Sequence, residues 1–154
     1  MKKFVTIMAV ILVFALAGCA GAPRTRQVIS GEKFSKAMEK AGYDVTDVTD
    51  EAYAGAGMTQ VLQALKGGSV VAFFFVAESE NVAKLTYALY KDSVAAGGEN
   101  NLIDEVHGEN YSCCSFEDVG AYTYCIWVEN TFLQIYGGID DKDEVIARAK
   151  ALGY

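Results

Sequence analysis

The sequence predicts an α+β domain: an antiparallel β-sheet with about three helices packed mainly on one face, in the order α-β-β-β-α-β-β-β(-β)-α. Three observations predict it. Apolar residues recur at helical spacing near the start, middle and end of the domain. Between these stretches lie short runs rich in Val, Ile, Phe, Tyr and Trp. Glycine, Asp and Asn mark tight turns between the runs.

The first helix is read from Phe34, Ala37, Met38 and Ala41 within Glu32 to Ala41, with Gly42 as its stop. Tyr43 to Val48 then alternates apolar and polar residues, as a half-buried strand does. Thr59 to Lys66 has helical propensity. The pair Gly67-Gly68 before the β-rich run Val70 to Val76 outweighs it as a two-residue hairpin signal, so both segments are predicted as strands.

Ser79 is the expected N-cap of a central helix, with Val82, Leu85 and Leu89 and with Ala83, Tyr87, Tyr90 and Val94 on a broad buried stripe, and Gly97-Gly98 at its end. Ile103 to Val106, Asn110 to Phe116, Ala121 to Glu129 and Thr131 to Gly137 follow as an antiparallel meander. Asp140 to Leu152 closes the domain as a helix, its Asp141 and Glu144 spaced for mutual capping and Gly153 just beyond its end. Both terminal helices are followed by Gly-Tyr, at 42–43 and 153–154. No fixed period recurs elsewhere to establish a duplication.

The segment ahead of this domain has a different logic. Lys2 and Lys3 precede an almost unbroken apolar stretch from Phe4 to Leu16, which is a secretory signal in outline and short for a membrane span. Leu16-Ala17-Gly18-Cys19 resembles the lipobox of bacterial lipoproteins. That resemblance implies removal of residues 1–18 and a covalent lipid on Cys19, with no other cofactor expected. Residues 19–31, with the sole proline Pro23 and the cations Arg24 and Arg26, are expected to form a flexible tether, and 32–154 a single domain. Acyl chains contribute about 0.8 kcal/mol per buried methylene, so the expected location is the outer, extracytoplasmic face of the cell membrane.

From Glu32 onward nine Lys and Arg face twenty Asp and Glu, a net charge of −11. Such a surface repels phosphate backbones, and no nucleic-acid partner is expected.

Phe34, Gly42-Tyr43, Val45, Asp47, Thr49, Ser79-Glu80, Asn110-Tyr111, Val128 to Thr131 and the terminal Leu152-Gly153-Tyr154 together resemble a known pattern. It is that of small extracytoplasmic lipoproteins of unknown function from clostridia and related Firmicutes. The resemblance spans the mature domain and implies a fold and a location. It brings no activity, and Cys113, Cys114 and Cys125 depart from it.

Catalytic motifs are scarce. The chain has one histidine, His107, and lacks the nucleophile elbow, the phosphate-binding glycine loop and the zinc-hydrolase helix motif. His107, Cys113, Cys114 and Cys125 have the inventory of a zinc site. Adjacent strand residues point to opposite faces, however, so no metal is expected. A hairpin at Asp118-Val119-Gly120 instead brings Cys125 opposite residues 112–114, giving a candidate disulfide of Cys113 or Cys114 with Cys125.

The apolar character of both faces of Val70 to Ala77 and of the strand around Tyr124 suggests a sheet face left bare by the helices. Phe74, Tyr122, Tyr124, Trp127 and Tyr136 are then the candidate interaction face. The alternative is that residues 50–58 fold over it. The expected role is a non-catalytic, membrane-anchored binding or interaction module. Its partner would be an envelope protein, a glycan or a second copy. The competing reading is a small extracytoplasmic hydrolase or thiol-dependent enzyme.

Overall fold

In the computed structural model, residues 23–96 and 102–154 are described. The signal segment, Cys19, residues 20–22 and the Gly97-Gly98 helix end lie outside them. The elements run α1 (Gly31–Lys40), β1 (Asp44–Asp47), α2 (Glu51–Gly55), β2 (Met58–Lys66), β3 (Val70–Ala77), α3 (Glu80–Ala96) and β4 (Leu102–His107). They continue with β5 (Tyr111–Asp118), β6 (Ala121–Val128), β7 (Thr131–Gly138), a 3-10 turn (Ile139–Asp141) and α4 (Lys142–Leu152).

The seven strands form one antiparallel sheet ordered β1-β2-β3-β7-β6-β5-β4. The last strand of the meander therefore returns to the middle, where it joins the N-terminal hairpin to the C-terminal strands. Gly67 and Gly68 both adopt positive φ in the β2–β3 turn, which fixes that hairpin and makes 58–66 a strand despite its helical propensity.

Strand alternation divides the core in two. On the first face α1 and α4 cover Leu62, Phe74, Ile126, Leu133 and Ile135, and the Phe34 ring stacks on Phe74 at 5.1 Å. On the second face α3 lays Ala83 and Tyr87 over Cys125, Trp127 and Phe132. Two long helices share one face, and the third crosses the other. Both sides of β3, β6 and β7 are thus covered, which accounts for the continuous apolar run of β3. Each fully buried Phe, Leu or Ile contributes about 1.5–3 kcal/mol of transfer free energy.

Helix ends explain three local features. Ser30 caps α1 by accepting from the Lys33 amide at 3.2 Å, so the helix begins at Gly31. The two Gly-Tyr pairs are the same C-terminal cap: Tyr43 N–H donates to Met38 O and Tyr154 N–H to Ala149 O, while Gly42 and Gly153 take left-handed φ. Their recurrence follows from helix-stop chemistry. The expected capping by Asp141 and Glu144 is not formed; Asp141 makes no side-chain cap bond, and Glu144 instead faces Tyr43, Lys66 and Arg148.

The one-turn helix α2 was not legible from apolar periodicity. Asp50 caps it through the Tyr53 amide at 2.9 Å, and the Tyr53 ring meets Phe75 edge-on. Part of segment 50–58 therefore does fold over the second face.

Candidate functional site

The expected aromatic interaction face does not exist as one surface. Phe74, Tyr122 and Tyr124 point to the α1/α4 side, whereas Trp127 and Tyr136 project from the opposite side. Phe74, Tyr122 and Trp127 are buried, and Tyr124 and Tyr136 are half-buried. The physical reason is that helices occupy both faces and remove the apolar surface that a bare sheet would have offered.

The tether expectation is corrected as well. Residues 23–30 are not a free linker but a strap bound to the β4–β5 end of the domain. Tyr111 Oη donates to Pro23 O at 2.8 Å, and the Glu109 amide donates to Arg24 O at 2.7 Å. Asn110 reads the backbone of Arg26 on both sides, accepting from its N–H and donating to its C=O, each at 2.9 Å. Ile29 is buried in the core. A Cβ on Gly108 would lie 2.0 Å from the Tyr111 ring and 2.8 Å from Arg24 O, so the close approach of strap to turn requires glycine there. The sequence signal was Val28-Ile29, an apolar pair inside a stretch read as polar.

The strap completes a cleft of about 280 Å³ on the first face. Because α4 packs chiefly on β6 and β7, the β4–β5 edge beyond it is left as a floor. Cys113, Ser115 and Tyr124 line that floor and Ile146 and Ala149 the α4 wall, with Arg26, Lys150 and Asp104 as the charged groups. Its size is near the lower end of small-molecule pockets, which run from about 300 Å³ upward.

The groups in the cleft are ordered but incompletely bonded. The Arg26 guanidinium stacks 4.9 Å above the Tyr111 ring and donates from Nη1 to Gly153 O at 3.1 Å. Its Nε is buried and has no hydrogen-bond partner among the described residues. Burial pushes the Cys113 thiol above the usual cysteine range despite a neighbouring Tyr124 hydroxyl and Arg26. Burial and the adjacent Cys113 likewise raise Tyr124. At neutral pH both present neutral O–H and S–H groups, and a protonated thiol is a poor nucleophile.

The remaining cysteines are on the other side of the same strands. Cys114 and Cys125 are directly paired across β5 and β6, with Sγ atoms 3.1 Å apart. The disulfide candidate therefore narrows to Cys114; Cys113, paired with Ile126, faces away. Of the four residues considered for zinc, only these two meet. His107 is exposed, with Nδ1 3.0 Å from Ser112 Oγ and Nε2 3.5 Å from Glu105. Glu105 also pairs with Lys91 of α3, a contact between helix and sheet edge that the sequence did not announce.

No family model matches the chain, and no curated protein does. Among solved structures the chain is similar to a GTP binding regulator from Thermotoga maritima, with 18% identity and a TM-score of 0.49, over 80% of this chain and 84% of that one. A likeness at that level assigns neither ligand nor activity. No helix among the described residues is long and apolar enough to cross a membrane.

Proposed function

We propose that this protein is a lipid-anchored, extracytoplasmic, non-catalytic binding module, and that its binding site is the cleft completed by Arg26. The observation that carries the reading is the strap. One short segment follows the lipobox cysteine, docks on the domain and supplies a wall of the cleft. Three residues separate Cys19 from Pro23, a reach of about 14 Å at full extension. A lipid on Cys19 then holds the β4–β5 end close to the headgroups.

The cleft has the chemistry for a small organic carboxylate with an apolar body. Val106, Ile146 and Ala149 supply apolar contact, while Arg26 and Lys150 line the cleft as two cations. Their positive charge contrasts with the strongly acidic domain around them. Asp104 gives the cleft one acid, which suits a hydroxyl or ammonium on the same ligand.

Two measurements test the reading. Cys19→Ser should move the protein from the membrane fraction to the soluble fraction and abolish labelling by palmitate. Unchanged membrane recovery without label would overturn the anchor. Phenylacetate should raise the melting temperature of the full chain in detergent while phenethylamine does not, because a ligand that binds the native state alone stabilises it. Equal shifts with both, or none with either, would overturn the site.

A further inference from the structure

We propose that Cys114 and Cys125 form a reversible cross-strand disulfide, a modification site distinct from the cleft and independent of whether the cleft binds a ligand. Directly opposed residues of an antiparallel pair have Cα atoms about 4.5–5.5 Å apart, inside the roughly 4.4–6.8 Å that a disulfide spans. Cys114 and Cys125 hold that register, their side chains leave the same face, and their sulfurs are 3.1 Å apart. Both are buried beneath α3 in a cluster with Tyr87, Phe132 and Trp127. Cys113 cannot compete, since alternation sends it to the opposite face.

The surroundings make the pair unequal. Contact with the Cys125 thiol outweighs burial and, with the Tyr87 hydroxyl and Lys91, holds the Cys114 thiol below the usual cysteine range despite Glu105. Contact with Cys114 and burial push the Cys125 thiol up.

The oxidant is a small or protein-borne disulfide. The thiolate of one cysteine of the pair attacks one of its sulfurs, the S–S bond breaks, and one thiolate leaves and takes up a proton. The other cysteine then loses its proton and attacks the first Sγ in the mixed disulfide, expelling the second thiol. Two protein thiols are oxidised and one external disulfide is reduced to two thiols. The new bond staples β5 to β6, the strands that carry Cys113 and Tyr124 on their reverse sides.

The pair is buried, so the test forms the bond during folding. The full chain, carrying four cysteines, is reduced in guanidinium chloride and refolded through a buffer of glutathione and glutathione disulfide. It is then denatured and capped with iodoacetamide, and its intact mass is read. Two thiols should be lost to an internal bond in the wild type and in Cys113→Ser, and none in Cys114→Ser or Cys125→Ser. The bonded form should melt at a higher temperature than the same sample after reduction. An internal bond persisting in Cys114→Ser, or none in the wild type at any glutathione ratio, would overturn the assignment.

Discussion

The Arg26 guanidinium carbon lies 4.9 Å above the centre of the Tyr111 ring, a contact between the segment leading from Cys19 and the first residue of β5. Cation–π contacts of this kind contribute about 0.5–2 kcal/mol, and this one is reinforced by the two Asn110 bonds to the Arg26 backbone. It ties the expected membrane anchor to the floor strand of the cleft.

The fit of the strap depends on the absence of a side chain at Gly108. Gly108→Ala should cost about 1–3 kcal/mol, because its Cβ collides with Tyr111 and with the backbone of Arg24. Limited trypsin digestion offers the specific readout. Cleavage after Arg24 and Arg26 should accelerate in the variant, and equal rates would mean that the strap is not seated there.

Core aromatics provide a second check. Phe74→Ala removes a buried ring stacked on Phe34 and should cost about 3–5 kcal/mol in urea unfolding, as should Trp127→Ala on the other face. A Trp127→Ala protein with unchanged stability would restore the exposed aromatic face that the helices remove.

Acid should weaken the corner where α1, β2 and α4 meet. Burial there opposes ionisation of Glu144, but Lys66, Arg148 and the Tyr43 hydroxyl outweigh it and hold the carboxyl below the usual range. With the folded value below the unfolded one, the stabilisation is present above the unfolded value. It is lost as pH falls through the folded value. Partial exposure limits it to under about 1 kcal/mol. Urea unfolding from pH 7 to pH 3 should therefore fall less steeply for Glu144→Gln than for the wild type, and identical pH profiles would remove Glu144 from the account.

Periodicity made the terminal helices legible, since each buries one stripe: Phe34 and Met38 in α1, Val145, Ala149 and Leu152 in α4. The β2 strand was legible only through its turn, where Gly67-Gly68 overrode the propensity of 59–66. Helix placement was less accessible. In α3 the face toward the sheet is that of Ala83 and Tyr87, with Leu85 and Leu89 exposed, and nothing in the order of elements says that it covers the side left by α1 and α4. The aromatic set was misplaced for that reason. The hairpin at Gly120 brought Cys125 opposite residues 112–114 and left Cys113 and Cys114 both open; the register selects Cys114. The cleft was not legible, because it joins Arg26, Asp104, Cys113 and Lys150 from four separate segments.

Arg26 and Lys150 are proposed to bind a carboxylate in the cleft closed by the strap. Isothermal titration of phenylacetate into the full chain in detergent tests it most directly, with Arg26→Gln and Lys150→Gln alongside. Binding should be saturable and one-to-one in the wild type, weakened about tenfold or more by Arg26→Gln, as loss of one charge-assisted hydrogen bond implies, and weakened to a lesser degree by Lys150→Gln. Wild-type binding matched by both variants, or no binding at all, would contradict it.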